Sequence, residues 1–516
     1  MIGLSIFLAR GQKTEKDYYL GGNKTGAFPI AISTMATQCS TNSILGAPAF
    51  VAFTAGGGLL WLQYELALPL AMIAIMLLLI PFFRKLKLIS VYAYLEERFG
   101  VTTRITMSVI FQVLRAFSTG VIVYGISLVI SYCLGVSFTF AVIMLGVITI
   151  IYDSIGGMKA VIYSDVIQMV ILYGCILMVL FYGLSFIGGF ENLFEYFPKE
   201  RAKAIDLHHT GFGDGKDFAF WPMLIGGFFL YVSYYGCDQT QVQRELSTRS
   251  IDDTNMSLFL NGILRFPLVL TYCIMGVVIG AYAVKSGNFI SELPLSPQTG
   301  EPDYNMAVPV FVVRHFPTGM IGLFMVGLFA AAMSSLDSSI NSISATSMED
   351  VIKKFKKISP KQELLYSKLM TVFWGSVCVI FSFFVGDISS SIIVTINKIG
   401  SLINGPILGV FILGTLFKMA NEKGALGGFI ISFLSNIYLW IYQPDISWLW
   451  WNAIGFFVCV VAGLLISLLL PEQKDIAHLV YSRKTTQGFH YRKNWPLHYF
   501  ILVVYFCILL FITASF

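Results

Sequence analysis

The sequence predicts an all-α integral membrane protein, and three observations support this fold class. Of its 516 residues, 56% are hydrophobic and only 12% are charged, whereas soluble domains contain about 25% charged residues. Apolar runs of about 20 residues, the length that spans a bilayer as an α-helix, recur along the chain. A few of these runs carry dense polar side chains at mid-depth, where hydrocarbon offers a polar group no partner.

These runs predict thirteen membrane spans. They lie near residues 27–53, 59–83, 105–133, 136–152, 159–185, 220–237, 256–284, 318–348, 364–386, 391–417, 424–443, 449–470 and 497–516. Residues 1–9 are apolar but too short to span a bilayer. We interpret them as the end of a truncated helix, with a signal peptide as the alternative.

The basic residues predict the orientation of the chain. Most of the 34 Lys and Arg residues fall in alternate connections between spans, including 84–104, 353–368 and the pair Arg244 and Arg249. The positive-inside rule places these connections in the cytoplasm. We therefore expect a multi-pass protein of the plasma (cell inner) membrane. Its net charge of +5 orients helices in the lipid bilayer and requires no nucleic-acid partner.

Two classes of protein are disfavoured by missing motifs. The eight cysteines occur singly without a CxxC pair, which argues against a zinc site and a disulfide framework. The sequence contains no GxxxxGK[ST] loop, which argues against an ATP-driven pump. An ion gradient is then the expected energy source, unless the protein is a channel.

The polar stripe in residues 327–353 is the strongest functional signal. One helix-length segment carries a carboxylate, an amide and several hydroxyls: Ser334, Ser335, Asp337, Ser338, Ser339, Asn341 and Ser342. A carboxylate at membrane depth costs about 2.5–3.5 kcal/mol on insertion scales and indicates a functional site. Hydroxyl and carboxylate oxygens are the ligands that hard cations prefer. The stripe predicts a cation site inside the membrane.

The first predicted span is expected to be interrupted. Residues 34–43, TMATQCSTNS, place polar groups through its middle, and Gly46 and Pro48 follow. Irregular backbone at membrane depth is tolerated where it lines a cavity, and secondary transporters build midplane sites from such helices. The alternative is a Ser/Thr-rich helix packed on its neighbours.

Asp165 is the second unusual polar residue. It lies six residues beyond Lys159, or about 9 Å along a helix from the inner surface. That position is compatible with an interfacial carboxylate. It is also compatible with a joint cation site that includes residues 334–338, which we favour.

Three lone cations complete the set: Arg115, Arg265 and Lys398. Each could extend its charge to the membrane surface, and we expect this of Lys398. Arg115 lies near mid-depth, where its guanidinium is suited to a carboxylate. Two carboxylates remain open as its partner, namely that of Glu65 and that of a solute.

Four motifs give the chain a resemblance to a known family. They are YDSIGGMKAVIYSDVIQ (152–168), YGCDQTQVQREL (235–246), AAAMSSLDSSINSISATSMEDVI (330–352) and GTLFKMANEKGALGG (414–428). Together they resemble the sodium:solute symporter family, and in part its bacterial sodium/sialic acid branch. The resemblance implies a leucine-transporter-type fold, a 5+5 inverted repeat with flanking helices. Residues 1–516 would form one transporter domain: 1–26 a truncated helix and cytoplasmic loop, 27–417 the ten-helix core, and 418–516 three accessory helices.

The resemblance also implies two sodium sites. The ligands of the first would be the backbone carbonyls of Ala36, Cys39 and Ala331 and the hydroxyls of Ser334 and Ser335. Those of the second would be Asp165, Asp337 and Ser338, together with Ser334. Asp337 departs from the sialic acid branch, which has a hydroxyl residue there. Because two carboxylates sharing a site raise one pKa, proton coupling through Asp337 is an alternative.

The implied solute contacts are Ser40, Ser43, Gln63 and Arg115, with Arg115 holding a carboxylate. Gln38 is the fifth candidate and departs from the sialic acid branch, which has Thr at that position. Other stretches resemble the iodide, vitamin and monocarboxylate branch equally well. Neutral sugars and amino acids remain open if Glu65 neutralises Arg115.

The resemblance therefore implies a sodium-coupled symporter that imports a small polar solute by alternating access. A sugar acid such as sialic acid, or a monocarboxylate, is the favoured solute. One or two Na⁺ would be the coupling ions, with no organic cofactor and no enzyme activity. A sodium sensor that no longer transports, and a channel, are the more distant alternatives. The oligomeric state is left open.

Overall fold

A computed structural model describes residues 1–10, 12–296, 300–385, 392–472, 477–481 and 493–515. Residues 386, 391 and 516, at the ends of three predicted spans, lie outside the described residues. Within the described ranges the regular secondary structure is helical, and β pairing occurs as isolated bridges such as that between Thr25 and Thr248.

The first half of the chain forms these α-helices: α1 Ile2–Leu8, α2 Glu15–Leu20, α3 Ala27–Gln38, α4 Thr41–Ala52, α5 Leu62–Glu65, α6 Ala67–Leu78, α7 Ile80–Leu86, α8 Ala93–Arg98, α9 Val101–Leu134, α10 Phe138–Ile187, α11 Leu193–Tyr196, α12 Lys199–Ala202, α13 Gly227–Cys237 and α14 Gln239–Leu246. The second half forms α15 Ile251–Ser286, α16 Ala307–His315, α17 Thr318–Thr346, α18 Lys353–Phe355, α19 Pro360–Ser382, α20 Ile392–Leu416, α21 Glu422–Tyr442, α22 Trp450–Leu469 and α23 Trp495–Ala514. Single π-helical turns, Pro222–Gly226 and Ser347–Ile352, precede α13 and follow α17.

Every predicted span corresponds to a helical segment of the described chain. Among the described residues, ten helical segments are long and apolar enough to cross a membrane. One of them, α10, has 50 residues and bends at Gly157, so it contains two predicted spans. Gly157 has a φ of 56°, and an added Cβ would lie 2.6 Å from the carbonyl oxygen of Tyr18. Only glycine fits that close approach between α2 and α10.

The first span is interrupted, as predicted. Helix α3 ends at Gln38 and α4 begins at Thr41. The polar residues at the break bond to nearby backbone: the Thr37 hydroxyl donates to the carbonyl of Ser33, 2.9 Å away. Such local side-chain bonds compete with regular helix. Helix α3 packs against α10, α15 and α17, which places the break within the helical core.

Helix α14 corrects the predicted position of Arg244. We assigned Arg244 to a cytoplasmic connection, which is wrong, because its side chain has no exposed surface. The polar helix is buried because its side chains find partners on neighbouring helices. The Gln243 amide donates to the carbonyl of Tyr19 and to the side chain of Asn341 at 2.8 and 2.9 Å. Thr240 and Ser342 share a hydrogen bond of 3.0 Å.

An ion cluster ties α2 to the end of the polar stripe. Lys353 contacts the carboxylate of Glu15 and lies 2.5 Å from that of Glu349. A third carboxylate, that of Glu363 at the start of α19, lies 3.7 Å away. The single ammonium group of Lys353 therefore faces three carboxylates. Only 3% of the Glu15 side chain is exposed. Burial, followed by repulsion from Glu349, raises the pKa of Glu15 from 4.5 to about 8.

This shift predicts how stability depends on pH. Between about pH 4.5 and 8 the folded protein holds a proton on Glu15 that the unfolded chain releases, so the free energy of unfolding falls as the pH rises. Glu15→Gln should remove that dependence, so between pH 6 and pH 8 the variant should lose less stability than wild type does. Thermal unfolding of wild type and variant at pH 6 and 8 tests this. A variant that loses as much stability as wild type over that range would contradict the assignment.

Candidate functional site

Two hydroxyls of α17 meet backbone carbonyls at the end of α3. The Ser334 hydroxyl lies 3.2 Å from the carbonyl oxygen of Ala36 and 3.1 Å from that of Ala331. The Ser335 hydroxyl lies 3.3 Å from the same Ala331 oxygen and 3.2 Å from the carbonyl oxygen of Thr37. Oxygen ligands around a cation bound at about 2.4 Å lie about 3.4 Å from one another. The spacing therefore suits a small hard cation.

The structure thus brings four of the five predicted first-site ligands into contact. Cys39, the fifth, is fully buried and its N–H donates to the carbonyl of Met35 at 2.8 Å. Cys39 directly follows Gln38, the last residue of α3, so its carbonyl lies at the break between α3 and α4. The assignment of all five residues to Na⁺ stays a prediction.

A guanidinium lies within the second predicted sodium site. Nη2 of Arg244 lies 3.1 Å from the Asp165 carboxylate and also donates to the Ser338 hydroxyl. Its Nε donates to the Ser33 hydroxyl at 2.8 Å, and that hydroxyl in turn donates to Asp165 at 2.5 Å. Asp165 and Ser338 therefore come together as predicted, but around a cation that the chain itself supplies.

Asp337 lies beside this group with its own partners. The Tyr152 hydroxyl donates to its carboxylate, and the Ser338 hydroxyl lies 3.1 Å away. Nearby, Asp153 accepts from the Asn341 amide at 3.2 Å. Asp337 thus borders the second site, and proton coupling through it stays an alternative prediction.

A cavity of about 220 Å³ adjoins the first site, and Ser335 lines it. Its wall includes Gln38, Ser40 and Ser43 from the break between α3 and α4, and Arg115 from α9. Four of the five predicted solute residues therefore share one cavity. A concave space with a few convergent polar groups is the usual form of a small-molecule site.

Gln63 is the exception. Its amide donates to the carbonyls of Leu60 and Phe218, both at 3.1 Å, and its oxygen accepts from the N–H of Asp206 at 2.8 Å. The side chain therefore anchors the long connection after α10, and the structure does not bring it to the cavity wall. Its predicted contact with the solute lacks support from this geometry.

Glu65, one of the two carboxylates left open as the partner of Arg115, pairs with a different arginine. Arg115 pairs with Asp238, the N-cap of α14, and its guanidinium lies 5.5 Å from the centre of the Tyr234 ring. Glu65 pairs with Arg265, with 3.3 Å between Nε and the carboxylate. Glu65 meets Arg265 because α5 packs against α15, whereas the Arg115 side chain on α9 reaches Asp238 at the start of α14. Both pairs line the cavity.

Sequence reasoning missed the surroundings of several charged residues in and near this cavity. Asp238 and Arg244 belong to a motif quoted above, but the motif gives no partner for either residue. Arg265 was interpreted as able to reach the membrane surface, whereas it is only 7% exposed. Lys398, expected to extend outward, lies over the Trp451 ring at 5.7 Å.

Comparison with known proteins agrees with this architecture. Residues 18–432 match the family model of the sodium:solute symporter family. The chain is 30% identical to the sodium/sialic acid symporter NanT of Aliivibrio fischeri, over 90% of each protein. It is 27% identical to the sodium-coupled monocarboxylate transporter 2 of Mus musculus, over 93% of this chain and 83% of that one.

A solved structure extends the agreement to the fold. A Na⁺-coupled sialic acid symporter in a substrate-bound, outward-open state superposes on this chain with a TM-score of 0.80 and 26% identity. The match covers 92% of this chain and 96% of that one. The predicted all-α membrane fold, a leucine-transporter-type inverted repeat with flanking helices, is thereby confirmed. With the family match covering most of its length, this chain is a member of the sodium:solute symporter family.

Proposed function

We propose that this protein imports a small organic anion across the plasma (inner) membrane, driven by Na⁺ bound between α3 and α17. The observation that carries the proposal is the shared position of Ser335, whose hydroxyl lies among the first-site oxygens and also lines the solute cavity. An ion at that site would fix the interrupted segment that forms part of the cavity wall. Sodium binding and solute binding would then favour each other, because coupling between two sites is reciprocal.

The charges of the cavity support an anionic solute. Among the described lining residues, the Arg115–Asp238 and Arg265–Glu65 pairs cancel formally. One Na⁺ at the first site leaves the region with a net charge of +1, which a monovalent anion neutralises. The relatives named above, which carry sialic acid and monocarboxylates, agree with a solute that bears a carboxylate. Transport itself requires no reacting group, so we propose no enzyme activity.

One Na⁺ per solute is the proposed stoichiometry of the conformation described. The Arg244 guanidinium already contacts Asp165 and Ser338, so a second Na⁺ would bind there after Arg244 moved. One Na⁺ with one monoanion carries no net charge, and a tenfold Na⁺ gradient, worth about 1.4 kcal/mol, would then concentrate the solute about tenfold. A second Na⁺ would add about 2.3 kcal/mol for each 100 mV across the membrane.

Uptake into proteoliposomes tests both parts of the proposal. With purified protein and a tenfold inward Na⁺ gradient, labelled N-acetylneuraminate or pyruvate should accumulate about tenfold. Replacing Na⁺ with K⁺ should abolish this accumulation. Imposing an inside-negative potential should leave the plateau unchanged if one Na⁺ is coupled, and raise it if two are.

Three other outcomes would reject the proposal or part of it. Sodium flux without solute would indicate a channel. Binding without flux would indicate a sensor. Sodium-dependent uptake of glucose or proline, with none of either acid, would replace the anionic solute with a neutral one.

A further inference from the structure

The wall of the solute cavity contains buried hydrogen-bond donors without partners. Four of these atoms are Nε2 of Gln38, the hydroxyls of Tyr64 and Tyr231, and Nη1 of Arg265, none of which has a hydrogen-bond partner among the described residues. All four residues line the solute cavity described above. Leaving a buried polar group unsatisfied costs about 1–3 kcal/mol, so a cluster of such groups marks a place where a ligand or ordered water binds.

These donors belong to one cluster around the Arg265–Glu65 pair. Tyr64 precedes Glu65 in α5, and its ring lies 4.8 Å from the ring of Tyr231. The pair itself joins Nε of Arg265 to the Glu65 carboxylate, so the far edge of the guanidinium remains available. Glu65 therefore fixes the orientation of Arg265 without satisfying it.

Gln38 is held in position at the break between α3 and α4. Its side-chain oxygen accepts a hydrogen bond of 2.7 Å from the Tyr235 hydroxyl, which leaves its amide nitrogen as the group that faces a ligand. Guanidinium and amide nitrogens only donate, and the phenols are able to donate. This donor excess suits an acceptor with several lone pairs, as in a carboxylate.

Arg115 differs from Arg265 in what it already binds. Its Nη2 contacts the Asp238 carboxylate, and its guanidinium lies over the Tyr234 ring. The Asp238 side chain also accepts from the N–H of Thr240 at 2.8 Å as the cap of α14. Arg115 is therefore joined to the start of a buried helix, and withdrawing it would leave a helix cap carrying an unpaired charge.

We propose that Arg265, with Tyr64, Tyr231 and Gln38, forms the subsite that binds the carboxylate of the solute. Arg115 then acts as a positioning residue for the α9–α14 contact. This inference rests on the proposed function, since it assigns the anionic end of that solute. It differs from the sequence prediction, which gave this role to Arg115.

Binding to paired variants tests the subsite. The full-length protein is purified, and its thermal stabilisation by pyruvate, N-acetylneuraminate or glucose is titrated at fixed Na⁺. Tyr64→Phe and Tyr231→Phe leave the ion pair intact and should each weaken acid binding about tenfold, the effect of one hydrogen bond to a charged group. The double variant Glu65→Gln/Arg265→Gln leaves no unpaired charge and should weaken acid binding on the order of a hundredfold.

The matched control neutralises the other pair. Arg115→Gln/Asp238→Asn also alters the cavity wall, but it should weaken acid binding at least about tenfold less than Glu65→Gln/Arg265→Gln does. Stabilisation by Na⁺ alone should persist in every variant. Acid binding that survives Glu65→Gln/Arg265→Gln but disappears in Arg115→Gln/Asp238→Asn would overturn the subsite while leaving an anionic solute intact. A wild type that Na⁺ and glucose stabilise, but neither acid does, would overturn the anionic solute and the subsite with it.

Discussion

Ser335→Ala is expected to raise the Na⁺ concentration for half-maximal uptake at least about fivefold, with a smaller effect on the maximal rate at saturating Na⁺. The hydroxyl lies 3.3 Å from the carbonyl oxygen of Ala331 and 3.2 Å from that of Thr37, and alanine removes it without adding bulk. A lost oxygen ligand leaves the ion under-coordinated in a buried site, where an unmet polar contact costs about 1–3 kcal/mol. That range corresponds to a factor of about five to more than a hundred in affinity.

The matched control is Ser376→Ala in α19. Ser376 is exposed, and its hydroxyl donates to the carbonyl of Val372 at 2.9 Å, one turn earlier. This variant removes the same group from a membrane helix away from the site and should keep the wild-type Na⁺ dependence. The measurement is initial uptake as a function of Na⁺ at constant ionic strength. If Ser335→Ala matches wild type, the first sodium site is placed wrongly.

The helices and their interruption could be predicted because the signals are local. Bilayer thickness fixes the length of an apolar run, and the dense polar residues with Gly46 and Pro48 mark the broken first span within a few residues. The bend at Gly157 lies between two predicted spans for the same reason. Contact between α3 and the serines of α17 was also predicted, but only through the resemblance to the sodium:solute symporter family.

The charge partners could not be predicted in this way. Arg265 lies 200 residues from Glu65, and Arg115 lies 123 residues from Asp238. A lone Arg in an apolar run shows that a partner is needed, but the partner depends on which helices become neighbours. Arg244 shows the same limit, because its run of polar neighbours is typical of a loop until the helices that accept their hydrogen bonds are in place.

Arg244→Gln is the second large-effect change, and it should convert a protein-supplied cation site into a sodium site. The Asp165 carboxylate and the Arg244 side chain are both fully buried. Removing one partner of a buried ion pair destabilises a protein by about 3–5 kcal/mol, because the remaining charge is left uncompensated. Without Na⁺ the variant should therefore unfold at a markedly lower temperature than wild type.

Sodium should then restore much of that loss. The change frees the oxygens of Asp165, Ser33 and Ser338, which the guanidinium contacts in wild type. Binding at a hundred times the dissociation constant stabilises by about 2.7 kcal/mol, so the variant should gain more from 100 mM Na⁺ than wild type gains. Choline at equal ionic strength separates specific binding from screening.

Two further variants make the interpretation specific. Asp165→Asn/Arg244→Gln removes both charges and should lose the additional response to Na⁺ while recovering stability, because no carboxylate is left unpaired. Arg98→Gln is the matched control, since buried Arg98 donates to the carbonyls of Gly414 and Phe417, at 2.9 and 2.7 Å. It should destabilise the protein without a gain from Na⁺, because no carboxylate among those contacts is released.

An Arg244→Gln protein with the wild-type Na⁺ response would mean that Asp165, Asp337 and Ser338 do not form a second sodium site. A larger response would mean that this chain uses arginine where a second Na⁺ could bind, so that the movement of one side chain determines the number of coupled ions.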